Sequence, residues 1–150
     1  MDASWFFPGL ALQALSVDPT LGVAYLGPAE WNGVAAIDLQ FSHLVPGQTP
    51  AVTTLIQSLS RVDLYLDPKS LRPLALDFKT HPDSDLIQSI PVEIQFGDYR
   101  TVGGVVVPFR IQKFLQGTLT LDFTVTQATV NSGVPPSTFT IPEFPTGGAQ

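Results

Sequence analysis

The stretch from Ile90 to Val130 constrains this chain more than any other. Two glycine-marked turns, Gly103-Gly104 and Phe114 to Gly117, divide it into three long strands of an antiparallel meander. A two-residue turn at Gly103-Gly104 sets Val102 opposite Val105 and Phe96 opposite Ile111. Val92, Ile94 and Phe96 then share a face with Val107, Phe109 and Ile111. Reading Phe114 to Gly117 as a type I turn with a glycine bulge sets Ile111 opposite Leu121, Phe109 opposite Phe123, and Val107 opposite Val125. One apolar face would thus cross all three strands. The other face carries Glu93, Gln95, Arg110, Gln112, Thr120, Asp122, Thr124 and Thr126, and is expected to meet water. The strands exceed the usual ~5–6 residues, which suits a strongly curved sheet or partial barrel. Pro108 inside a strand predicts a bulge or an unpaired position.

The earlier chain supplies more of the same sheet. Leu21 to Leu26 reads as a strand, and Asn32-Gly33 as a hairpin turn. In Ala35 to Leu44, Ile37, Leu39 and Phe41 alternate with Asp38, Gln40 and Ser42, so one face is buried and one is wet. Ala51 to Leu59 is expected to be a short helix. Arg61–Leu66 and Leu74–Thr80 form a hairpin around Asp67-Pro68-Lys69-Ser70, with aspartate and proline where a type I turn favours them. Two registers keep its apolar residues on one face. One sets Asp63 opposite Asp77, which is repulsive. The other sets Arg61 opposite Asp77, and is preferred on charge. Pro8 to Ser16, with Leu10, Leu12 and Leu15, reads as an apolar helix that is either buried or a cover over another apolar surface. Asp2 and the break at Pro8-Gly9 argue against a targeting segment there.

At 44% hydrophobic and 13% charged residues, the chain is too apolar for disorder. No apolar run reaches the ~18 residues of a membrane span. A net charge of -6, with seven scattered Lys and Arg, argues against nucleic acid and anionic membrane surfaces. The absence of cysteine rules out disulfides and thiolate metal sites.

Nothing in the spacing of reactive residues announces catalysis. No serine sits in a Gly-x-Ser-x-Gly elbow. His43 and His81 lie in or beside turns, where a lone histidine is ordinarily solvated. His81-x-Asp83-x-Asp85 lacks the glycine and terminal glutamate of a calcium loop and reads as an acidic surface loop. Asp38, Asp63, Glu93 and Asp122 lie on wet strand faces, where carboxylates serve solubility. No cofactor or metal is expected. Phe41, Phe78, Phe96, Phe109 and Phe123 fall on the apolar face, as do Ile111 and Leu121. They are either core or the lining of an apolar binding surface. A broad sheet with only one or two short helices to cover it favours the second reading, since a large uncovered apolar face usually marks a binding surface.

Several of these segments resemble, in order, the LolA/LolB-like envelope proteins, a group that includes outer-membrane lipoprotein-sorting proteins and RseB/MucB-like regulatory domains. The matching elements are Phe96-x-Asp98-Tyr99, Gly104-Val105 and Val107-Pro108-Phe109, the Leu64 to Pro68 turn with Pro73-Leu74 beyond it, and the ending Val130-Asn131-x-Gly133-Val134 to Ile141-Pro142. The resemblance runs from about Leu21 to Pro142. It implies a mainly β (α+β) fold: a curved antiparallel meander forming a half-open β-barrel, with one or two short helices on its concave apolar face. The expected organisation is a single domain over residues 1–142, lacking some N-terminal strands of the family pattern, and a flexible tail over 143–150. The implied role is non-enzymatic and periplasmic, or otherwise extracytoplasmic. A lipid or lipoprotein acyl chain would lie against Phe41, Phe78, Phe96, Phe109, Ile111, Leu121 and Phe123. The alternative is an envelope interaction, sensing or scaffold domain with a packed core and no ligand. The strand at Leu21–Leu26 is a candidate edge for pairing with another chain.

Overall fold

The computed structural model describes residues 18–130 except 83 and 86, together with residues 9, 12, 13, 132–135 and 138. Seven strands form one antiparallel sheet in sequence order. They are β1 (Leu21–Trp31), β2 (Val34–His43), β3 (Val62–Leu66), β4 (Pro73–Thr80), β5 (Ile90–Val102), β6 (Val105–Leu115) and β7 (Thr118–Thr124), with helix α1 (Pro50–Ser60) between β2 and β3. The meander is thus as the sequence predicts, but the half-open barrel is not: the sheet is open and not strongly curled. Among the described residues, no helix is long and apolar enough to cross a membrane.

Turn chemistry sets each hairpin. Asn32 and Gly33, with φ of 48° and 78°, close β1 on β2. Gly103 and Gly104, with φ of 55° and 84°, set Val102 opposite Val105 and Phe96 opposite Ile111, the predicted register. A left-handed backbone at both turn positions is what glycine permits and a β-branched side chain resists. Gly104→Val is therefore expected to cost roughly 1–2 kcal/mol in urea unfolding; a loss within error of zero would contradict this account of the turn. Pro108 lies opposite Tyr99, and beside that pair Asp98 takes a φ of 49°. The bulge or unpaired position expected at the proline is therefore absent: Pro108 is paired, the β5–β6 register runs past it without a shift, and the left-handed residue is on the partner strand.

Two registers differ from expectation. In β3–β4, Asp63 pairs with Asp77, Val62 with Phe78 and Leu64 with Leu76. The turn decides this, not the charges. Asp67 Oδ1 accepts from the backbone N–H groups of Lys69 (3.1 Å) and Ser70 (2.6 Å), and Asp67 N–H donates to Arg72 O at 2.9 Å. A bulge beside Tyr65 and Leu66 then shifts the pairing. Arg61, just before β3, satisfies Asp63 two residues along the chain, at 2.9 Å, and leaves Asp77 without a cation. In β6–β7, the turn is Gln116-Gly117 alone, with φ of 50° and 74°, and the register shifts again between Lys113 and Phe114. Ile111 therefore faces Phe123, Lys113 faces Leu121, and Val125 N–H bonds to Phe109 O at 2.8 Å. Phe109 and Phe123 are not direct partners. The shift from expectation is two residues, and a shift of two returns every side chain to the same face.

The core follows from that periodicity. Leu39, Leu64, Leu76 and Ile94 form one row across β2–β5, and Leu64, Leu76 and Ile94 are the largest fully buried side chains. Thr49 caps α1 by accepting from Val52 N–H, and Pro50 starts it where its missing N–H costs nothing. Ser60 Oγ donates to Ile56 O (2.7 Å) and accepts from His43 N–H (2.9 Å), tying the helix end to β2. The helix packs against β2 and β4 yet buries no residue of its own, so it does not plug the apolar face as expected. Gly9, Leu12 and Gln13 are helical, and Leu12 packs half-buried on the core. The rest of the helix expected over 8–16 lies outside the described residues, as do Ser137 to Pro142 other than 138, and the tail over 143–150.

Candidate functional site

The seven apolar residues singled out from the sequence all lie on one face of the sheet, but in three different settings. Phe41, Phe96 and Ile111 belong to the buried cluster, and Phe78 packs half-buried against it. Phe109 is buried outside that cluster, with the Arg100 guanidinium 4.4 Å from its ring centroid. Arg100 is itself held by Asp98, at 2.5 Å. Nearby, Tyr99 Oη donates to Pro73 O at 2.7 Å and Arg72 lies over the Tyr99 ring, closing that end of the face. Burial pushes the Tyr99 hydroxyl well above the ordinary tyrosine range. Leu121 and Phe123, on β7, are 40% and 50% exposed.

The face is therefore sealed at its centre and open at its flanks. Phe123 sits beside Ile111, which sits beside Phe96, so exposed apolar surface continues outward from the core through a single row. The opposite flank is not among the residues singled out from the sequence. Val23 and Tyr25 pair with Phe41 and Leu39, placing them on the same face, and both are exposed. Their alternation with Ala24 was the available signal. Lys113 also lies on this face, between Ile94 and Leu121.

The other face does not simply meet water. β2 pairs with β3 only over Ile37–Phe41, so the tip of the β1–β2 hairpin runs past the end of β3. Trp31 lines a depression of about 270 Å3 with Gln95, Gly97, Asp98, Arg110 and Gln112, which places the hairpin tip over β5 and β6. Ala36 and Ala75 are buried on this face. A larger open trough, about 790 Å3, is lined by Arg61, Asp63, Asp77, Lys79, Glu93 and Phe114 among others. The expectation of an apolar concave side is not what this trough shows: its lining is mixed, with Arg61, Asp63, Asp77, Lys79 and Glu93 set among polar residues and Phe78, Val92 and Phe114.

A row of polar side chains crosses the trough: Gln40, Asp63, Asp77 and Glu93 are successive cross-strand partners. Gln40 Nε2 donates to Asp63 Oδ1 at 3.1 Å, and Gln95 Nε2 donates to Glu93 Oε1. Asp77 Oδ1 and Asp38 Oδ1 are shielded from solvent with no hydrogen-bond partner. Burial first, then Glu93, Asp63 and Asp38, push the Asp77 carboxyl up to about 7. Asp38 is raised by burial and by Asp63. Toward β7, by contrast, Arg110 grips Asp122 with two hydrogen bonds of 3.1 and 2.7 Å and holds its carboxyl below the usual range. Among the described residues, no three His, Asp or Glu side chains converge as metal ligands. Asp83 lies outside them.

No protein-family model matches the chain, and no curated protein matches it. Among solved structures, the fold is similar to that of a domain assigned by name to outer-membrane lipoprotein sorting, from Vibrio parahaemolyticus. The TM-score is 0.44 at 12% identity, covering 75% of this chain and 45% of that one. This chain thus spans less than half the length of that solved chain, and no site residue is carried over from it.

Proposed function

We propose that this chain is a non-enzymatic domain of the cell envelope that binds a lipid or the acyl chain of a lipoprotein on the apolar face of its sheet. The observation that carries the reading is the row Phe96–Ile111–Phe123, in which the buried core passes without a break into half-exposed apolar surface. An apolar chain laid along β7 would cover Leu121 and Phe123. Phe96, Phe109 and Ile111 would form its floor, with Phe41 and Phe78 further along the same face. The order of the hairpin motifs, which resembles that of lipoprotein-sorting and related envelope proteins, supports both the ligand class and an extracytoplasmic location.

A second reading is favoured by a specific observation. Phe41, Phe96, Phe109 and Ile111 are already buried by the protein itself, as expected of an interaction or scaffold domain with a packed core. Native mass spectrometry after mild purification separates the two. The first reading expects an added mass in the lipid range, and uptake of a fluorescent fatty acid by the delipidated protein. A chain that carries no lipid and takes up none is the packed-core domain.

A further inference from the structure

The carboxylate row on the face opposite the proposed lipid surface has no part in that reading. We propose that Asp38, Asp63, Asp77 and Glu93 form a proton-linked clasp across β2–β5 that holds the centre of the sheet firmly in mildly acidic conditions and loosens as the pH rises.

The geometry is the starting point. Asp77 on β4 has Asp63 directly opposite on β3 and Glu93 directly opposite on β5. Asp38 and Tyr65 approach from β2 and β3, and His81, in the loop after β4, lines the same trough with its Nδ1 3.1 Å from Gln88 O. Three carboxylates abreast on adjacent strands repel one another when all are ionised. The available cations do not relieve Asp77. Arg61 is engaged by Asp63, at 2.9 Å, and Lys79, two residues along β4, makes no ion pair among the described residues. One oxygen of each, Asp77 Oδ1 and Asp38 Oδ1, is shielded from solvent and has no hydrogen-bond donor of the protein against it. Sharing a proton removes one charge from the row and supplies a donor to it.

The sign follows from linkage. The Asp77 carboxyl holds its proton up to about pH 7 when folded, against an ordinary value of 3.8. Below the lower value both states are protonated, and the row costs nothing. Between the two values the unfolded chain ionises freely while the folded chain does not, so stability falls as the pH rises toward 7. Asp67, Asp98 and Asp122, held low by hydrogen bonds, titrate below this window. The clasp is independent of what the apolar face binds.

The test is the melting temperature of the full chain from pH 5 to pH 8, in wild type and in Asp77→Asn. Wild type is expected to lose roughly 5 °C across that range. Asp77→Asn, which keeps the shape and removes the charge, is expected to melt higher than wild type at pH 8 and to lose less than half as much on going from pH 5. Groups elsewhere contribute equally to both proteins, so the difference isolates the row. Should Asp77→Asn fail to fold, Glu93→Gln takes its place: it is expected to melt higher than wild type at pH 8 and to lose less than wild type on going from pH 5, by a smaller margin because the burial of Asp77 remains. A carboxyl-carbon NMR titration of wild type then checks that Asp77 titrates well above the other aspartates. A wild-type melting temperature that is flat or rising over this range, a variant that keeps the full wild-type fall, or an Asp77 that titrates with the other aspartates overturns the proposal.

Discussion

Ile94→Ala is expected to lower the unfolding free energy by roughly 3–4 kcal/mol. Ile94 is 0% exposed and lies between Leu76 on β4 and Lys113 on β6, in the row that runs through the middle of the sheet. Removing its outer methyl groups deletes buried apolar surface and leaves a cavity that paired strands on both sides cannot collapse to fill. A domain of this size has a net stability of roughly 5–15 kcal/mol, so the substitution removes a large share of it. Equilibrium urea unfolding measures the change, provided the denaturant slope is unchanged. A cost below ~1 kcal/mol would place Ile94 away from the core.

The second large effect concerns the ligand. Leu121 and Phe123 are half-exposed, so changing both to glutamine is expected to cost little stability, about 1 kcal/mol or less. Binding of a fluorescent fatty acid is expected to weaken far more. If the ligand covers ~100 Å2 of those two side chains, the lost burial is worth about 2.5 kcal/mol, or roughly 50-fold to 100-fold in affinity. Thr124→Gln on the opposite face is the control, and is expected to bind as wild type does. Equal losses in both proteins would mean that β7 matters through its fold and not through its apolar face.

Much of this arrangement is legible in the residues. The two-glycine turn fixes the β5–β6 register, and strict alternation fixes which side chains of β2, β3 and β5 are buried, because a period of two leaves no other solution. The failures have identifiable causes. Charge is a weak guide to register. The Asp67 turn and a bulge override the Arg61–Asp77 attraction, since turn geometry is paid once for the whole hairpin while one exposed ion pair contributes little. Phe114 to Gly117 holds two workable turns, and the chain takes the tighter one at Gln116-Gly117. Exposure is harder still. Phe109 and Phe123 carry the same signal in the sequence, yet Arg100 covers one ring and the other lies on the edge strand. The overhanging tip at Trp31 depends on β3 being only five residues long, opposite a ten-residue β2.

Methyl-resolved NMR of the delipidated protein, titrated with a long-chain fatty acid, tests the apolar-face account most directly. The account predicts saturable shifts at Leu121 and at the methyl of Ile111 beside Phe123, while Ala36 and Ala75 on the opposite face stay still. Shifts confined to the side of Ala36 and Ala75, or none at a ligand excess that saturates a micromolar site, would contradict it.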